Sequence, residues 1–217
     1  MFDAKLRSVM APGCNLAGRN LARLGLRPMA LTAVGFVVGV GACVSVARRL
    51  WMVALILWVV NRIFDGLDGA VARAWGTSES GALLDITADF IVYGGFIVGL
   101  AIADPSARLA CTVLLLAYYV SGAAFLALSS LLERRGSPAD DERSLRFSGG
   151  LAEGSETIVV YILFCLLPSQ IIPIAWGFSV AVFITAIQRI VHGVHVLHPR
   201  PELEVSNLAD AQTTSPR

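Results

Sequence analysis

Six long apolar runs constrain the fold of this chain more than any other feature of its sequence. A helix needs about 20 predominantly apolar residues to cross a bilayer. Hydrophobic residues make up 56% of the 217 residues and charged residues only 15%, and the mean hydropathy is +0.70, a composition far from that of soluble domains. We therefore predict an all-α integral membrane protein with six transmembrane helices. The runs lie at residues 29–47, 50–74, 81–103, 109–131, 155–168 and 171–192.

The two ends of the chain are more polar than its centre. Residues 1–27 mix leucine and alanine with basic residues, so we expect an amphipathic segment at the membrane interface, with a merely polar leader as the alternative. Residues 199–217 are polar and contain proline, so we expect a disordered cytoplasmic tail. Residues 1–198 are therefore predicted to form a single membrane-embedded domain.

The basic residues predict how the helices are oriented. If the N-terminus is cytoplasmic, the outer loops hold only Arg48, Arg49 and Arg108 of the 17 Lys and Arg residues, in agreement with the excess of positive charge in cytoplasmic loops. Both termini, and the junction between the second and third helices, are then cytoplasmic. A net charge of +1 gives no reason to expect a nucleic-acid partner.

Four aspartates lie where the second and third apolar runs meet. Asp65 and Asp68 are three residues apart, and Asp85 and Asp89 are four apart, so each pair shares one face of a helix. Because the connecting turn is short, we expect the two helices to be antiparallel neighbours whose acidic faces converge. Carboxylates in a membrane bundle are costly unless a cation shares their site.

Two kinds of cation are candidates for this acidic site. Arg73 is one, but a single guanidinium leaves four carboxylates at about −3. Oxygen ligands without His or Cys indicate hard divalent ions such as Mg²⁺, Mn²⁺ or Ca²⁺. Four carboxylates suit two such ions a few ångströms apart, an arrangement suited to phosphoryl chemistry. The alternative is an ionic network that only holds helices together.

The acidic segment resembles the signature of the CDP-alcohol phosphotransferase family. Its sequence, DGLDGAVARAWGTSESGALLDITAD, follows the pattern D-x2-D-G-x2-A-R-x8-G-x3-D-x3-D with one residue fewer between the arginine and the second glycine. The fixed positions are Asp65, Asp68, Gly69, Ala72, Arg73, Gly81, Asp85 and Asp89. Pro28, Leu31 and Thr32 are similar to the entry of the family's first span, and residues 149–158 to a segment of a bacterial inner-membrane branch.

This resemblance implies a six-helix bundle in the inner (cytoplasmic) membrane, commonly a homodimer, with an active site open to the cytoplasm. Such enzymes use a second alcohol to displace CMP from a CDP-alcohol, most often CDP-diacylglycerol, in phospholipid biosynthesis. It also implies that the four aspartates hold two Mg²⁺ or Mn²⁺ ions on the diphosphate. The residues that it places around the nucleotide are Pro28, Thr32, Gly69, Ala72, Arg73 and Gly81.

The acceptor alcohol must lose a proton as its oxygen attacks phosphorus, and a carboxylate within reach can take that proton. Asp89 is the predicted catalytic base, because it is the last acid of the stripe and the deepest from the cytoplasmic end. The candidates for binding the acceptor are Arg134, Arg143, Glu153 and Glu156. Arginines in cytoplasmic loops also act as topology determinants, so the sequence leaves the acceptor open.

A cation-coupled membrane transporter is the alternative function, because transporters also keep acidic residues inside a helix bundle. Against it, the chain shows no inverted repeat and places its acids near one membrane surface instead of the midplane. Membrane prenyltransferases also bind a diphosphate through aspartates and Mg²⁺, but they normally carry two separated aspartate-rich motifs.

Overall fold

The computed structural model describes residues 13, 16–76, 78–134 and 154–198, and within these ranges the chain is helical and contains no strand. Residues 16–23 form a short N-terminal helical segment. The longer helices are α1 (Pro28–Ala47), α2 (Trp51–Trp75), α3 (Glu79–Ala103), α4 (Arg108–Arg134), α5 (Gly154–Leu166) and α6 (Ile171–Leu197). The predicted all-α class is confirmed, and each apolar run corresponds to one of these helices.

Four of the helices are long and apolar enough to cross a membrane: α1, α3, and α4 and α6 together with the short 3₁₀ turns that precede them. Of the six predicted spans, these four have the length and composition of a membrane span, and the other two are not confirmed. Helix α2 has 25 residues, but it carries Arg62, Asp65, Asp68 and Arg73. Helix α5 has 13 residues and rises about 20 Å, which is less than the roughly 30 Å thickness of the hydrocarbon core.

Helix α1 packs closely against both α2 and α3. A Cβ atom at Gly39 would lie 2.6 Å from Val92 Cγ2 on α3 and 2.9 Å from Asn61 Nδ2 on α2. Asn61 Nδ2 also donates a hydrogen bond of 2.8 Å to Gly35 O. Because glycine has no side chain at these positions, the backbone of α1 approaches both neighbours. Helix α1 therefore sets the spacing between the two helices that carry the aspartates.

An aromatic cluster fills the bundle beside the acidic segment. Trp58 stacks on Tyr161 with ring centroids 4.5 Å apart, and Trp58 also contacts Tyr93 and Phe96 at 5.3 Å. The Tyr161 hydroxyl donates a hydrogen bond of 2.9 Å to Tyr93 O, which ties α5 to α3. Trp58 precedes Asp65 by seven residues, or about two helical turns, so this cluster forms the apolar floor below the acids.

Arg49 closes the end of the bundle farthest from the acidic segment. Its backbone has a left-handed φ of 61°, and its Nε donates a hydrogen bond of 2.8 Å to Ala103 O. Ala103 is the last residue of α3, where carbonyl groups have no partner within the helix. Arg49, one of the three basic residues in the predicted outer loops, thus has a structural role in this turn.

The N-terminal helical segment lies on the acidic part of α2. A Cβ atom at Gly18 would lie 2.7 Å from Ala70 Cβ and 2.8 Å from the Ala70 carbonyl carbon, so the segment and α2 are in close backbone contact. Ala70 lies between Asp68 and Ala72 of the signature. The predicted interfacial segment spans residues 1–27, and before residue 16 only residue 13 is among the described residues. The predicted tail at 199–217 lies outside the described residues.

Candidate active site

Three aspartates from α2 and α3 face one another. Asp65, Asp68 and Asp85 each offer a carboxylate oxygen, and these oxygens all lie within 4.8 Å of one another. Asp68 is buried, and Asp65 and Asp85 are half-buried. The structure therefore brings together three of the four predicted acids, as the helical spacing of the pairs and the short turn between the helices require.

The two carboxylate oxygens of Asp68 have different surroundings. The Thr32 hydroxyl of α1 donates a hydrogen bond of 2.8 Å to Asp68 Oδ2. Asp68 Oδ1 is buried, and no hydrogen bond reaches it from the part of the chain that the structure describes. A buried carboxylate oxygen without a partner costs free energy. Its position in the group of three carboxylates therefore fits a ligand of a hard divalent ion.

Among the described residues, Arg62 is the cation that pairs with the acids of this site, and it was not predicted from the sequence. Its side chain is only 8% exposed, and Nη2 lies 2.8 Å from Asp89 Oδ1 while Nη1 lies 3.4 Å from Asp65 Oδ2. The candidate proposed from sequence was Arg73, which lies exposed near the end of α2. Arg62 precedes Asp65 by three residues, so the same i, i+3 rule that pairs Asp65 with Asp68 would have placed it on the acidic face.

The Arg62 guanidinium is fixed by aromatic and amide groups. It lies 4.9 Å from the ring centroid of Trp58 and 4.7 Å from that of Tyr93, within the range of cation–π attraction. Nη1 donates a hydrogen bond of 2.8 Å to the Tyr93 hydroxyl, and Nη2 donates one of 2.6 Å to Asn61 Oδ1. These contacts reach the guanidinium from both α2 and α3.

Asp89 differs from the other three acids in its partner. Asp89 lies outside the group of three convergent carboxylates and instead accepts the short hydrogen bond from Arg62. Its side chain is 34% exposed, and it lines the same cleft as the other acids. The four predicted metal ligands thus separate into three carboxylates that face one another and one that is ion-paired.

A cleft with a volume of about 240 Å³, which includes open solvent, lies above this group. Thr32 is the member of the predicted nucleotide-binding set that lines it. Pro28, Gly69, Ala72, Arg73 and Gly81 are not among its lining residues. The walls are formed by Thr32, Gly35, Phe36, Asn61, Asp65, Asp68, Asp85, Ala88, Asp89 and Val92.

Gly81 has a structural role at the start of α3. Ser78 is the N-cap residue, and its hydroxyl oxygen accepts a hydrogen bond of 3.2 Å from Gly81 N, which satisfies one of the free N–H groups of the first turn. A Cβ atom at Gly81 would lie 2.8 Å from Ser78 Oγ. Glycine at this position of the signature therefore leaves room for the cap, whether or not it also contacts a nucleotide.

Two of the four predicted acceptor-binding residues, Arg134 and Glu156, lie in the part of the chain that the structure describes, and neither is at the cleft. Arg134 is exposed at the end of α4, and Glu156 lies in the first turn of α5, where its Oε2 accepts a hydrogen bond of 3.0 Å from the Ser155 hydroxyl. Neither lines the cleft. Arg143 and Glu153 lie outside the described residues.

Comparisons with known proteins place this site in a family. The family model of the CDP-alcohol phosphatidyltransferases matches residues 26–187. The chain is 35% identical over 196 residues to the inner membrane protein YnjF of Escherichia coli, an alignment that covers 89% of this chain and 95% of that protein. It is 33% identical over 100 residues to the archaetidylinositol phosphate synthase of Pyrococcus horikoshii, covering 46% of this chain and 53% of the synthase.

The fold is also similar to that of a solved structure. The crystal structure of the Mycobacterium tuberculosis phosphatidylinositol phosphate synthase in complex with manganese and citrate matches with a TM-score of 0.66 and 26% sequence identity. The match covers 83% of this chain and 88% of that chain. The transporter interpretation finds no support in these similarities, whereas the signature and the convergent aspartates agree with them. The chain belongs to the CDP-alcohol phosphatidyltransferase family and is an enzyme of that class.

Proposed function

We propose that this enzyme transfers a phosphatidyl group from CDP-diacylglycerol to an acceptor alcohol and releases CMP, in phospholipid biosynthesis. The observation that carries the proposal is the group of three carboxylates, Asp65, Asp68 and Asp85, with oxygens within 4.8 Å of one another. Two similar enzymes are named as synthases of archaetidylinositol phosphate and phosphatidylinositol phosphate. A phosphorylated polyol is therefore the first acceptor to test.

Asp65, Asp68, Asp85 and Asp89 are the proposed ligands of two Mg²⁺ or Mn²⁺ ions, with Asp89 on the acceptor side. The manganese in the similar solved structure supports a divalent ion of this kind. When bound, such ions neutralise the negative charge of the diphosphate and of the departing CMP. Thr32 keeps the Asp68 carboxylate oriented through its hydrogen bond.

Asp89 is the proposed base. The acceptor oxygen forms a bond to the phosphorus that carries the lipid, the bond from that phosphorus to the CMP oxygen breaks, and Asp89 takes the proton of the acceptor hydroxyl. The free space of the cleft beside Asp89 leaves room for that hydroxyl. Most of the catalysis then comes from positioning and charge stabilisation.

The cleft is lined by all four aspartates and by Thr32, and ions held by carboxylates bind phosphate oxygens. We therefore assign it to the diphosphate and the reacting oxygen, with the nucleotide extending beyond it along the signature. The proposed nucleotide contacts in that direction are Pro28, Thr32, Gly69, Ala72, Arg73 and Gly81. Arg134, Arg143, Glu153 and Glu156 remain proposed acceptor contacts at the cytoplasmic surface.

All six helices are proposed to cross the inner membrane, with both termini and the site on the cytoplasmic side. The pattern of exposure in α2 supports its inclusion, because Arg62, Asp65 and Asp68 are buried or half-buried. The exposed residues of this helix include Met52, Val53, Ile56, Val59 and Ile63. Residues 1–27 are proposed to lie at the interface, and residues 1–198 to form one domain followed by a disordered tail at 199–217. A homodimer is proposed for the assembly.

The experiment that tests this function measures CMP release by the purified protein with CDP-diacylglycerol, Mg²⁺ or Mn²⁺, and one acceptor at a time. The acceptor panel is inositol phosphate, glycerol 3-phosphate, inositol, glycerol, serine and a membrane-lipid extract. We expect release that requires both a divalent ion and one acceptor. Asp65→Asn should nearly abolish it, whereas Asp104→Asn, which changes an acid in the turn before α4, should not. Absence of ion-dependent binding of any CDP compound would overturn the proposal.

A further inference from the structure

A basic surface precedes the first membrane span. We propose that the N-terminal helical segment (residues 16–23) and the turn after it bind anionic lipid headgroups through Arg23 and Arg27, and that this binding keeps the segment docked on the signature part of α2. The effect on turnover rests on the proposed function, whereas lipid binding itself needs no reaction. The juxtaposition that carries the inference is two exposed arginines beside a helical segment whose buried face contacts Ala70.

The charge of this surface has one sign. Arg19, Arg23 and Arg27 are exposed, and the sequence contains no acidic residue between Asp3 and Asp65. The side chains of Arg23 and Arg27 make no hydrogen bond or ion pair with the residues that the structure describes. Their charges are therefore available to a partner of opposite sign, and a phosphate group matches the guanidinium in shape as well as in charge.

The position of the segment favours lipid phosphates as that partner. Arg27 directly precedes α1, which is long and apolar enough to cross a membrane. Exposed apolar side chains lie between the arginines and at the end of α2: Leu16, Leu24, Leu26 and Trp75. Leucines that enter the acyl boundary, arginines that extend to the phosphates and a tryptophan at headgroup level are typical of an interfacial segment. A soluble partner would leave these leucines in contact with water.

The helical segment needs such a surface to stay docked. Isolated helices shorter than about 12–15 residues are marginal in water, and the segment ends at Gly25, whose φ of 80° is left-handed. Its close contact with α2 is made by Gly18, where a Cβ atom would lie 2.7 Å from Ala70 Cβ. Each arginine at an anionic surface strengthens attachment by about fivefold. Lipid binding therefore stabilises the docked position beside the signature.

Hydrogen–deuterium exchange measures this docking without any reaction. The full-length protein is reconstituted in phosphatidylcholine vesicles with or without phosphatidylglycerol, and the reporters are the N–H groups of Leu24 and Gly25, which donate hydrogen bonds to Asn20 O and Ala22 O. With phosphatidylglycerol we expect about twentyfold slower exchange for two bound arginines, and high salt should remove the difference. Inorganic phosphate added to phosphatidylcholine vesicles should not reproduce it, because a free anion does not attach the segment to the membrane.

Matched double variants test whether these two arginines are responsible. Arg23→Gln combined with Arg27→Gln should exchange equally in both vesicle types. Arg48→Gln combined with Arg108→Gln removes the same charge from exposed positions at the opposite end of the bundle, so the difference should remain. Arg23→Lys combined with Arg27→Lys keeps the charge and should also keep the difference, which tests the inference if the glutamine variant does not fold. Equal exchange of the unchanged protein in both vesicle types would overturn the inference, as would loss of the difference in the Arg48 and Arg108 variant.

CMP release then tests whether docking reaches the site. With the amount of CDP-diacylglycerol held constant, because this donor is itself anionic, phosphatidylglycerol should increase release by the unchanged protein but not by the Arg23 and Arg27 glutamine variant. Gly18→Ala keeps both arginines but separates the segment from Ala70, so release should stay low in both vesicle types. Release that does not follow the exchange measurements would overturn the coupling. If the proposed function fails instead, no condition gives CMP release, while the exchange measurements remain readable.

Discussion

Gly39 does not line the cleft, but a single methyl group added there should displace the helices that carry the acidic site. In Gly39→Ala the added Cβ would lie 2.6 Å from Val92 Cγ2, and 2.9 Å from both Val92 Cγ1 and Asn61 Nδ2. Carbon atoms in optimal contact are about 3.5–4.0 Å apart, so α1 must move away from α2 and α3 by about 1 Å. Val92 follows Asp89 by three residues, and Asn61 precedes Arg62, so the displacement reaches the acidic site.

The expected loss of stability can be isolated by a matched substitution. Overpacking a well-packed interior costs about 1–3 kcal/mol, but replacing glycine by alanine in a helix also gains about 1 kcal/mol in helix propensity. Gly177 lies in α6, and a Cβ atom there would meet nothing within 4 Å. Gly177→Ala therefore gains propensity without overpacking. The difference between the two variants should be about 1–3 kcal/mol.

The assay is thermal unfolding of the two variants and the unchanged protein in the same detergent, followed by CMP release below the unfolding temperature. We expect Gly39→Ala to unfold at the lowest temperature and to lose turnover while still folded, because 1 Å displacements at a catalytic site reduce rate strongly. If Gly39→Ala unfolded at the same temperature as Gly177→Ala and kept full turnover, α1 would not set the spacing of α2 and α3 as described.

Three further predictions concern the site itself. Asp68→Asn should leave the protein folded but weaken Mn²⁺ binding, measured by electron paramagnetic resonance, because the buried carboxylate beside Asp65 and Asp85 is lost; unchanged affinity would exclude Asp68 as a ligand. Gly18→Ala should reduce CMP release through displacement of the N-terminal helical segment from Ala70, whereas deletion of that segment without loss of activity would refute this. Removal of divalent ions by a chelator should stop CMP release and lower the unfolding temperature, and Mn²⁺ should restore both; turnover that persists in the chelator would contradict a divalent-ion site.

Local sequence pattern was sufficient for most of the helices. The predicted run at 81–103 corresponds to α3 (Glu79–Ala103) and the run at 155–168 to α5 (Gly154–Leu166), because a mostly apolar stretch without interior proline favours a helix of about the same length. The number of membrane spans was harder to predict from the sequence. The charges that form the site in α2 also keep it from being apolar enough to count as a membrane span by composition.

The grouping of the aspartates could be foreseen only in part. Spacings of three and four residues place Asp65 with Asp68 and Asp85 with Asp89, since residues at these separations share a helix face. The partner of each carboxylate could not be assigned in this way. Arg73 was the predicted cation, although Arg62 is three residues from Asp65, the same separation as between Asp65 and Asp68.

The sequence by itself determined that the chain is a helical membrane protein, that it carries four acids on two adjoining helices, and that its signature is that of a phosphatidyltransferase. Only the tertiary structure decided that Asp65, Asp68 and Asp85 converge while Asp89 is bound by Arg62. The physical reason is that helical periodicity sets directions within one helix. Distances between helices depend on how closely they pack, and here on the contact of Gly39 with Val92 and Asn61.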